Sequence, residues 1–429
     1  MHHWARLATL LPFALLGLPD LAPPILRRND RDDERYLAAG ERWGASVCTV
    51  GSAAGTVIGD RWVLTAGHVA ANISPFSPSV RCGSQRFAIA EIYTYPGWTM
   101  KREPGGDALD LEVPDLALVR LATPATGIPI VRLHRAGREP GRRIILVGNG
   151  LSGTGESGPE TDDGRLRAAT NVIDSVFGQY FTFTFSQPDD PAATDLEGIG
   201  GPGDSGGPAL IQRRGRLYVA GISSLNHRGD AAGSSRYRST ELYARVSPNA
   251  AWIDGVMAGR GTPDAVTDTV RTLAVAGWPS TAAGETARRW LQAFNTQDSV
   301  RITSFERTFR ADSLLAKRSA EARVASSRTT FADWGALQAW GYVESPGKPF
   351  MLLVRSEKLD RWMSLSFRLE PAPPHKLLGL SMRWPEDAPP DAVPLNSGTP
   401  AGEGSLATFS PAHSPAAAGP ARMRRSAGR

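Results

Sequence analysis

The stretch Gly203-Asp204-Ser205-Gly206-Gly207-Pro208 sets one alcohol among glycines. A serine hydroxyl is a poor nucleophile at neutral pH, so acyl chemistry needs a base within hydrogen-bond reach and fixed donors for the developing oxyanion. Glycines permit the tight turns that let the amides of Gly203 and Ser205 converge on one oxygen. Taken alone, the hexapeptide also reads as a Gly/Pro turn between strands. Two further segments bear on the choice. Trp62-Val63-Leu64-Thr65-Ala66-Gly67-His68-Val69 is an apolar, β-branched run that ends in small residues and a histidine. Val113-Pro114-Asp115-Leu116-Ala117-Leu118-Val119-Arg120-Leu121 opens a strand-like run with an acid, which by itself only caps a turn.

Together, the order His68, Asp115, Ser205 and its local sequences resemble the trypsin/chymotrypsin family of serine peptidases, from about Glu41 to Ile253. The resemblance implies that Ser205 attacks a carbonyl, His68 takes and returns the proton, and Asp115 orients His68. It implies an oxyanion hole from the amides of Gly203 and Ser205. Gly221-Ile222-Ser223-Ser224-Leu225-Asn226 is similar to the strand that binds substrate backbone; Ser224 would bond the buried acid, and Leu225 replaces the usual tryptophan. Ile199 falls at the floor of the primary pocket. Glu241 falls on its wall, where a desolvated carboxylate would favour a basic substrate side chain; the alternative is that it faces solvent. Tyr243, in the run resembling the closing strand, is expected to be core packing, and Ala251-Trp252-Ile253 resembles the start of the C-terminal helix. Asp204 is the acid that family members commonly pair with a new Ile-Val-Gly-Gly amino terminus. No such tetrapeptide precedes Glu41, and Ile25-Leu26-Arg27-Arg28 matches it poorly, so Asp204 needs another cation, a donor or partial solvation.

Cys48 and Cys82 are the two cysteines. The resemblance places their regions side by side in one barrel and implies a bond between them; two buried thiols are the alternative. The family's bridge beside the catalytic histidine is excluded, because Val69 stands where its second cysteine would be. Arg6 precedes an apolar stretch, Leu7 to Leu18, with the length of a signal-peptide core and too short to span a bilayer. Ala22 before Pro23-Pro24 is a candidate cleavage point, and an uncleaved anchor is the alternative. The expected location is exported, periplasmic or secreted. With 48 Lys and Arg against 43 Asp and Glu, dispersed along the chain, a nucleic-acid partner is not expected, and Arg422-Met423-Arg424-Arg425 reads as a solvated tail. No CxxC, HExxH or clustered His/Asp/Glu spacing points to a metal, and no cofactor is expected.

These features predict an all-β double antiparallel barrel followed by a smaller α+β domain with a curved antiparallel sheet. The expected divisions are a signal peptide (1–24), a charged lead (25–40) and a protease domain (41–258) with barrels at about 41–140 and 141–258. A linker (259–283), an α+β domain (284–385) and a disordered tail (386–429) rich in Pro, Ala, Gly and Ser follow. Phe181-Thr182-Phe183-Thr184-Phe185 alternates with strand period. Ala287, Trp290, Leu291 and Phe294 mark one helix face, while Met363 to Leu369 and Leu378 to Trp384 alternate as half-buried strands. That helix-then-sheet pattern, with Leu291-Gln292-Ala293-Phe294-Asn295, resembles NTF2-like (SnoaL-like) domains. Such a domain would bind a small ligand or a protein partner, or support the protease; solitary His375 reads as structural.

The leading functional expectation is a serine endopeptidase acting on proteins or peptides. The alternatives are a protease-like binding protein without turnover, or an esterase on the same scaffold.

Overall fold

The computed structural model describes residues 25–383 except 100–101, 104–105, 108–109, 228–234 and 265–270. The expected signal peptide and disordered tail therefore lie outside the described residues.

Six strands, Val47–Val50, Ala53–Gly59, Trp62–Thr65, Ser79–Cys82, Gln85–Thr94 and Ala117–Leu121, close into a barrel. The last of them inserts between Trp62–Thr65 and Gln85–Thr94, so the longest connection among these six strands returns to the barrel wall. Val63 pairs with Val119 and Leu64 with Leu118, and all four are fully buried. Each such side chain contributes roughly 1.5–3 kcal/mol of transfer free energy. Cys48 and Cys82 form a disulfide across the paired strands Val47–Val50 and Ser79–Cys82. At a sequence separation of 34, the loop-entropy model assigns this link about 3–4 kcal/mol against the unfolded chain.

The second half of the protease region is an eight-stranded sheet ordered Arg167–Val172, Arg143–Gly148, Pro208–Arg213, Arg216–His227, Thr240–Arg245, Tyr180–Thr184 and Ser175–Phe177, with Arg132–Leu133 added alongside Arg216–His227. Its backbone ladder stays open between Arg167–Val172 and Tyr180–Thr184. The side chain of Asn171 spans that seam, donating from Nδ2 to Thr184 O and Gly198 O at 3.0 Å each. Phe181, Phe183 and Phe185 are buried with Tyr243.

The charged lead belongs to this second half. Leu26–Arg27 pairs with Gly153–Thr154 in parallel and with Gly198–Ile199 in antiparallel fashion. The helix Asp33–Trp43 then lies on the strand Arg167–Val172, anchored where buried Arg167 meets Asp33 and Asp163 at 2.7 Å each.

Part of the expected linker belongs to the C-terminal domain instead: Arg271–Thr272 pairs with Leu337–Val343, and Leu273 and Trp278 are buried in that domain's core. Helices Leu273–Ala276, Ala282–Thr296, Ser299–Phe309, Asp312–Lys317 and Ala320–Trp334 precede an antiparallel meander of Leu337–Val343, Phe350–Ser356, Arg361–Leu369 and Leu377–Arg383, which Arg271–Thr272 extends to five strands. Thr281, Asp298 and Ser319 cap three of these helices, each accepting from a backbone amide with its side-chain oxygen. Ala287, Leu291 and Phe294 pack in one core with Met363, Leu365 and Phe367, as the sequence periodicity predicts. Asn295 fixes the helix to the sheet edge by exchanging two bonds with the backbone of Leu337, at 2.8 and 2.9 Å. One expectation needs correcting. A register shift between Arg368 and Leu369 puts Leu377, not Leu378, fully in the core. His375 has a structural contact, its Nδ1 meeting Glu370 O at 3.0 Å.

The two parts meet at Phe76, which is buried with Trp340, Val343 and Leu353 of the C-terminal sheet.

Candidate active site

Strand Trp62–Thr65 pairs with Ala117–Leu121 so that Thr65 lies opposite Ala117. His68 follows the first strand by three residues, on the short helix Gly67–Ala70, and Asp115 precedes the second by two, so both emerge at the same end of the barrel. His68 Nδ1 lies 2.6 Å from Asp115 Oδ2, and the His68 amide donates to Oδ1 at 2.9 Å. A carboxylate only accepts, so the imidazole proton sits on Nδ1 and Nε2 is left as the acceptor. Ser224 Oγ donates to Asp115 Oδ2 at 2.7 Å. Asp115 is 2 % exposed. Burial pushes its pKa up, but the bonds and charge interaction with His68, with help from Ser224, more than offset that and hold it below the ordinary value.

Ser224 reaches Asp115 because of a β-bulge. The pairing of Arg216–His227 with Thr240–Arg245 shifts between Ser223 and Leu225, leaving Ser224 as the extra residue. The two adjacent serines then serve different acids, Ser223 Oγ donating to Glu241 Oε1 at 2.9 Å and Ser224 to Asp115.

The turn bearing Ser205 is seated against the first barrel. Ser205 O accepts from Ala54 N at 2.8 Å, and Gly206 N donates to Ser223 O at 2.8 Å. Gly206 has φ +78°, and a Cβ there would fall 2.2 Å from Thr65 Oγ1 and 2.3 Å from Ala54 O, so only glycine fits. Thr65 is three residues ahead of His68, and Ser223 adjoins Ser224, so backbone and side-chain bonds link the serine turn to both ends of the His68–Asp115 pair. Ser205 is partly exposed. Among the described residues its Oγ has no hydrogen-bond partner, and the amides of Gly203 and Ser205 donate to none. The structure thus brings His68, Asp115 and Ser224 into contact and leaves the link from His68 Nε2 to Ser205 Oγ unmade.

On the far side of Ser205 lie two more buried acids. Asp204 is 1 % exposed and accepts from Gly201 N at 3.1 Å through Oδ2; Oδ1 has no partner at hydrogen-bonding geometry. Gly148 makes room for it, since a Cβ there would fall 1.8 Å from Oδ1. Burial pushes the Asp204 carboxyl well above its ordinary value, and Glu241 pushes in the same direction. The solvent-facing alternative for Glu241 is overturned: it is 3 % exposed, accepting from Gly200 N at 2.8 Å as well as from Ser223. Burial raises its pKa to about 7. Ile199, expected at the pocket floor, is fully buried, and Leu225 is half-buried. The side chain of Asn226 lies outside the described residues. No group of residues suited to a metal occurs among the described residues.

Sequence reading missed two contributors. Tyr180 OH accepts from Asp115 N at 2.8 Å and donates to Val113 O at 2.9 Å, holding the loop that carries the acid. Trp98 packs against Gly67 beside His68. Tyr180 adjoins the alternating phenylalanine run, and nothing local marks it as different from a core aromatic.

A closed barrel, a second sheet curled beside it and the serine turn between them define a trypsin-like protease domain. A family model described as Trypsin matches residues 33–253, just over half of the chain. The chain belongs to the trypsin family. Among solved structures it is similar to neuropsin, a serine protease expressed in the limbic system of mouse brain, with 21% sequence identity, 50% of this chain and 94% of that one covered, and a TM-score of 0.38.

Proposed function

We propose that this chain is a serine endopeptidase that hydrolyses peptide bonds through an acyl-enzyme. Ser205 Oγ attacks the scissile carbonyl while His68 Nε2 accepts its proton. The amides of Gly203 and Ser205 receive the oxyanion, and losing one such donor costs roughly 2.7–4 kcal/mol of transition-state stabilisation. His68 then gives the proton to the departing amine, and water repeats the sequence to release the acid. Asp115 stays ionised throughout and stabilises the imidazolium. The observation that carries this reading is the Ser224–Asp115–His68 chain of hydrogen bonds, anchored to the same strands as the serine turn.

By the same reading, Ser224, Leu225 and Asn226 bind substrate backbone, and Ile199 and Glu241 bound the primary pocket. The disulfide supports an oxidising compartment and so an exported protein, periplasmic or secreted. No helix among the described residues is long and apolar enough to cross a membrane.

A fluorophosphonate probe tests the chemistry. The folded protein should be labelled at Ser205 and the Ser205→Ala variant should not; absence of labelling in the folded wild type would favour the binding-protein alternative. Parallel assays on peptides and simple esters separate a peptidase from an esterase.

A further inference from the structure

A cavity of about 980 Å³ opens beside the candidate oxyanion amide. Gly203 forms part of its wall, together with Ala53, next to the residue whose amide holds Ser205 O, and Asn149. Its opposite wall comes from the C-terminal domain: Asp360, Arg361 and Trp362, at the turn between strands Phe350–Ser356 and Arg361–Leu369. We propose that this cavity holds the polypeptide segment on the leaving-group side of the scissile bond, so that the C-terminal domain is part of the substrate site.

The inference rests on the peptidase reading and extends it. Ser224 and Leu225, assigned there to substrate backbone, and Glu241, assigned to the primary pocket, contribute nothing to the cavity wall. The cavity reaches the candidate site at Gly203 and shares none of the residues assigned to substrate backbone or the primary pocket, and on that ground it is assigned to the other side of the scissile bond. Its size is at the upper end of the roughly 300–1,000 Å³ typical of ligand sites, enough for several residues of an extended chain. The lining suits a peptide of mixed character, combining exposed glycine backbone, Glu41 and Arg81 on the protease side, and Arg361 with the Trp362 indole facing them.

The far wall is built firmly. Trp362 packs edge-on to Trp340 with ring centroids 4.7 Å apart, and the Arg355 guanidinium lies 5.8 Å over its ring. Trp340 in turn buries Phe76, on the segment that follows the His68 helix. The domain therefore grips the protease immediately downstream of the candidate base, and its turn is held across the cavity.

Two substrates with one acyl-side tetrapeptide, chosen by profiling a peptide library, test this on the full chain. One ends in a p-nitroanilide; the other continues for four residues and reports by internal quenching. The continuation should raise kcat/KM roughly tenfold, about the return of one modest set of remote contacts. Trp362→Ala should lose most of that gain with anilide hydrolysis within about twofold of wild type. Because Trp362 also packs in the domain contact, Ala45→Trp provides a second probe: Ala45 is exposed on the protease wall, and an indole there fills the cavity without touching that contact. It should remove the gain equally. Cleavage of both substrates with no advantage for the longer one, or a gain that survives both variants, overturns the inference and leaves the peptidase reading intact. Cleavage of neither substrate sinks both.

Discussion

Two aspartates flank the serine turn, and they are treated in opposite ways. Asp115 and Asp204 are almost equally buried, at 2 % and 1 % exposure. Three hydrogen-bonding groups converge on Asp115, the amide and imidazole of His68 and the hydroxyl of Ser224, and its carboxyl is held below the ordinary range. Asp204 has only backbone amides to offset its burial, Gly201 at 3.1 Å and more weakly Gly150, with a second acid as a neighbour, and its carboxyl is driven up. Depth of burial is common to both; partners set the sign. A charge is maintained where the proposed mechanism needs one to steer an imidazole, whereas on the other side of the nucleophile the structure favours a proton.

The contrast is open to direct attack. Asp115→Asn keeps the shape of the site and removes the charge, and should lower kcat about 10⁴-fold with little change in fold. Circular dichroism alongside steady-state assays checks both halves. If activity survives, the well-partnered acid is structural and the asymmetry has no catalytic meaning.

A second prediction asks whether Asp204 gains a cation on maturation. Ile25 is buried at 1 % exposure, in the segment where Leu26 pairs with Ile199 and Gly153, close in sequence to the Asp204 turn and to Gly148. Cleavage ahead of Ile25 would deliver an ammonium to this region. Sequencing the mature amino terminus should return Ile25, and an added residue before it should depress activity. A longer natural terminus with full activity would leave Asp204 as the protonated member of the pair.

The smallest effect concerns Glu241, whose pKa is lifted by burial from the usual 4.5 to about 7. The folded state then holds a proton that the unfolded chain has released, so this contribution to stability is complete below pH 4.5 and is lost as pH rises to about 7. The loss amounts to roughly 3 kcal/mol. Urea titrations across that range should show the decline in wild type and a flatter profile in Glu241→Gln. If the carboxylate also bounds the primary pocket, cleavage after Arg and Lys should rise as pH passes 7, and Glu241→Gln should abolish that rise. An unchanged cleavage profile removes Glu241 from specificity.

Much of the candidate site could be read along the chain because its parts are local. His68 closes an apolar run, Asp115 opens one and Ser205 lies in a glycine turn; each is ambiguous alone, and their order with these neighbours carries the family resemblance. Ser224 was found by resemblance, but the bulge that aims it depends on pairing with another strand. Tyr180 was unreadable as a support of Asp115, since the two are 65 residues apart and joined only by the fold. In the C-terminal domain, alternation identified the strands while a register shift decided that Leu377, and not Leu378, fills the core.

By itself the sequence determined which atoms are available for chemistry, that short β-rich runs fill the region of the first barrel and which cysteines exist to be joined, because composition and short-range periodicity specify these. Tertiary structure alone decided in which direction burial and partners move each acid, where Glu241 points and that a turn from the C-terminal domain borders the cavity beside Gly203. Desolvation and hydrogen bonding are set by whatever packs nearby in space, and those neighbours come from distant parts of the chain.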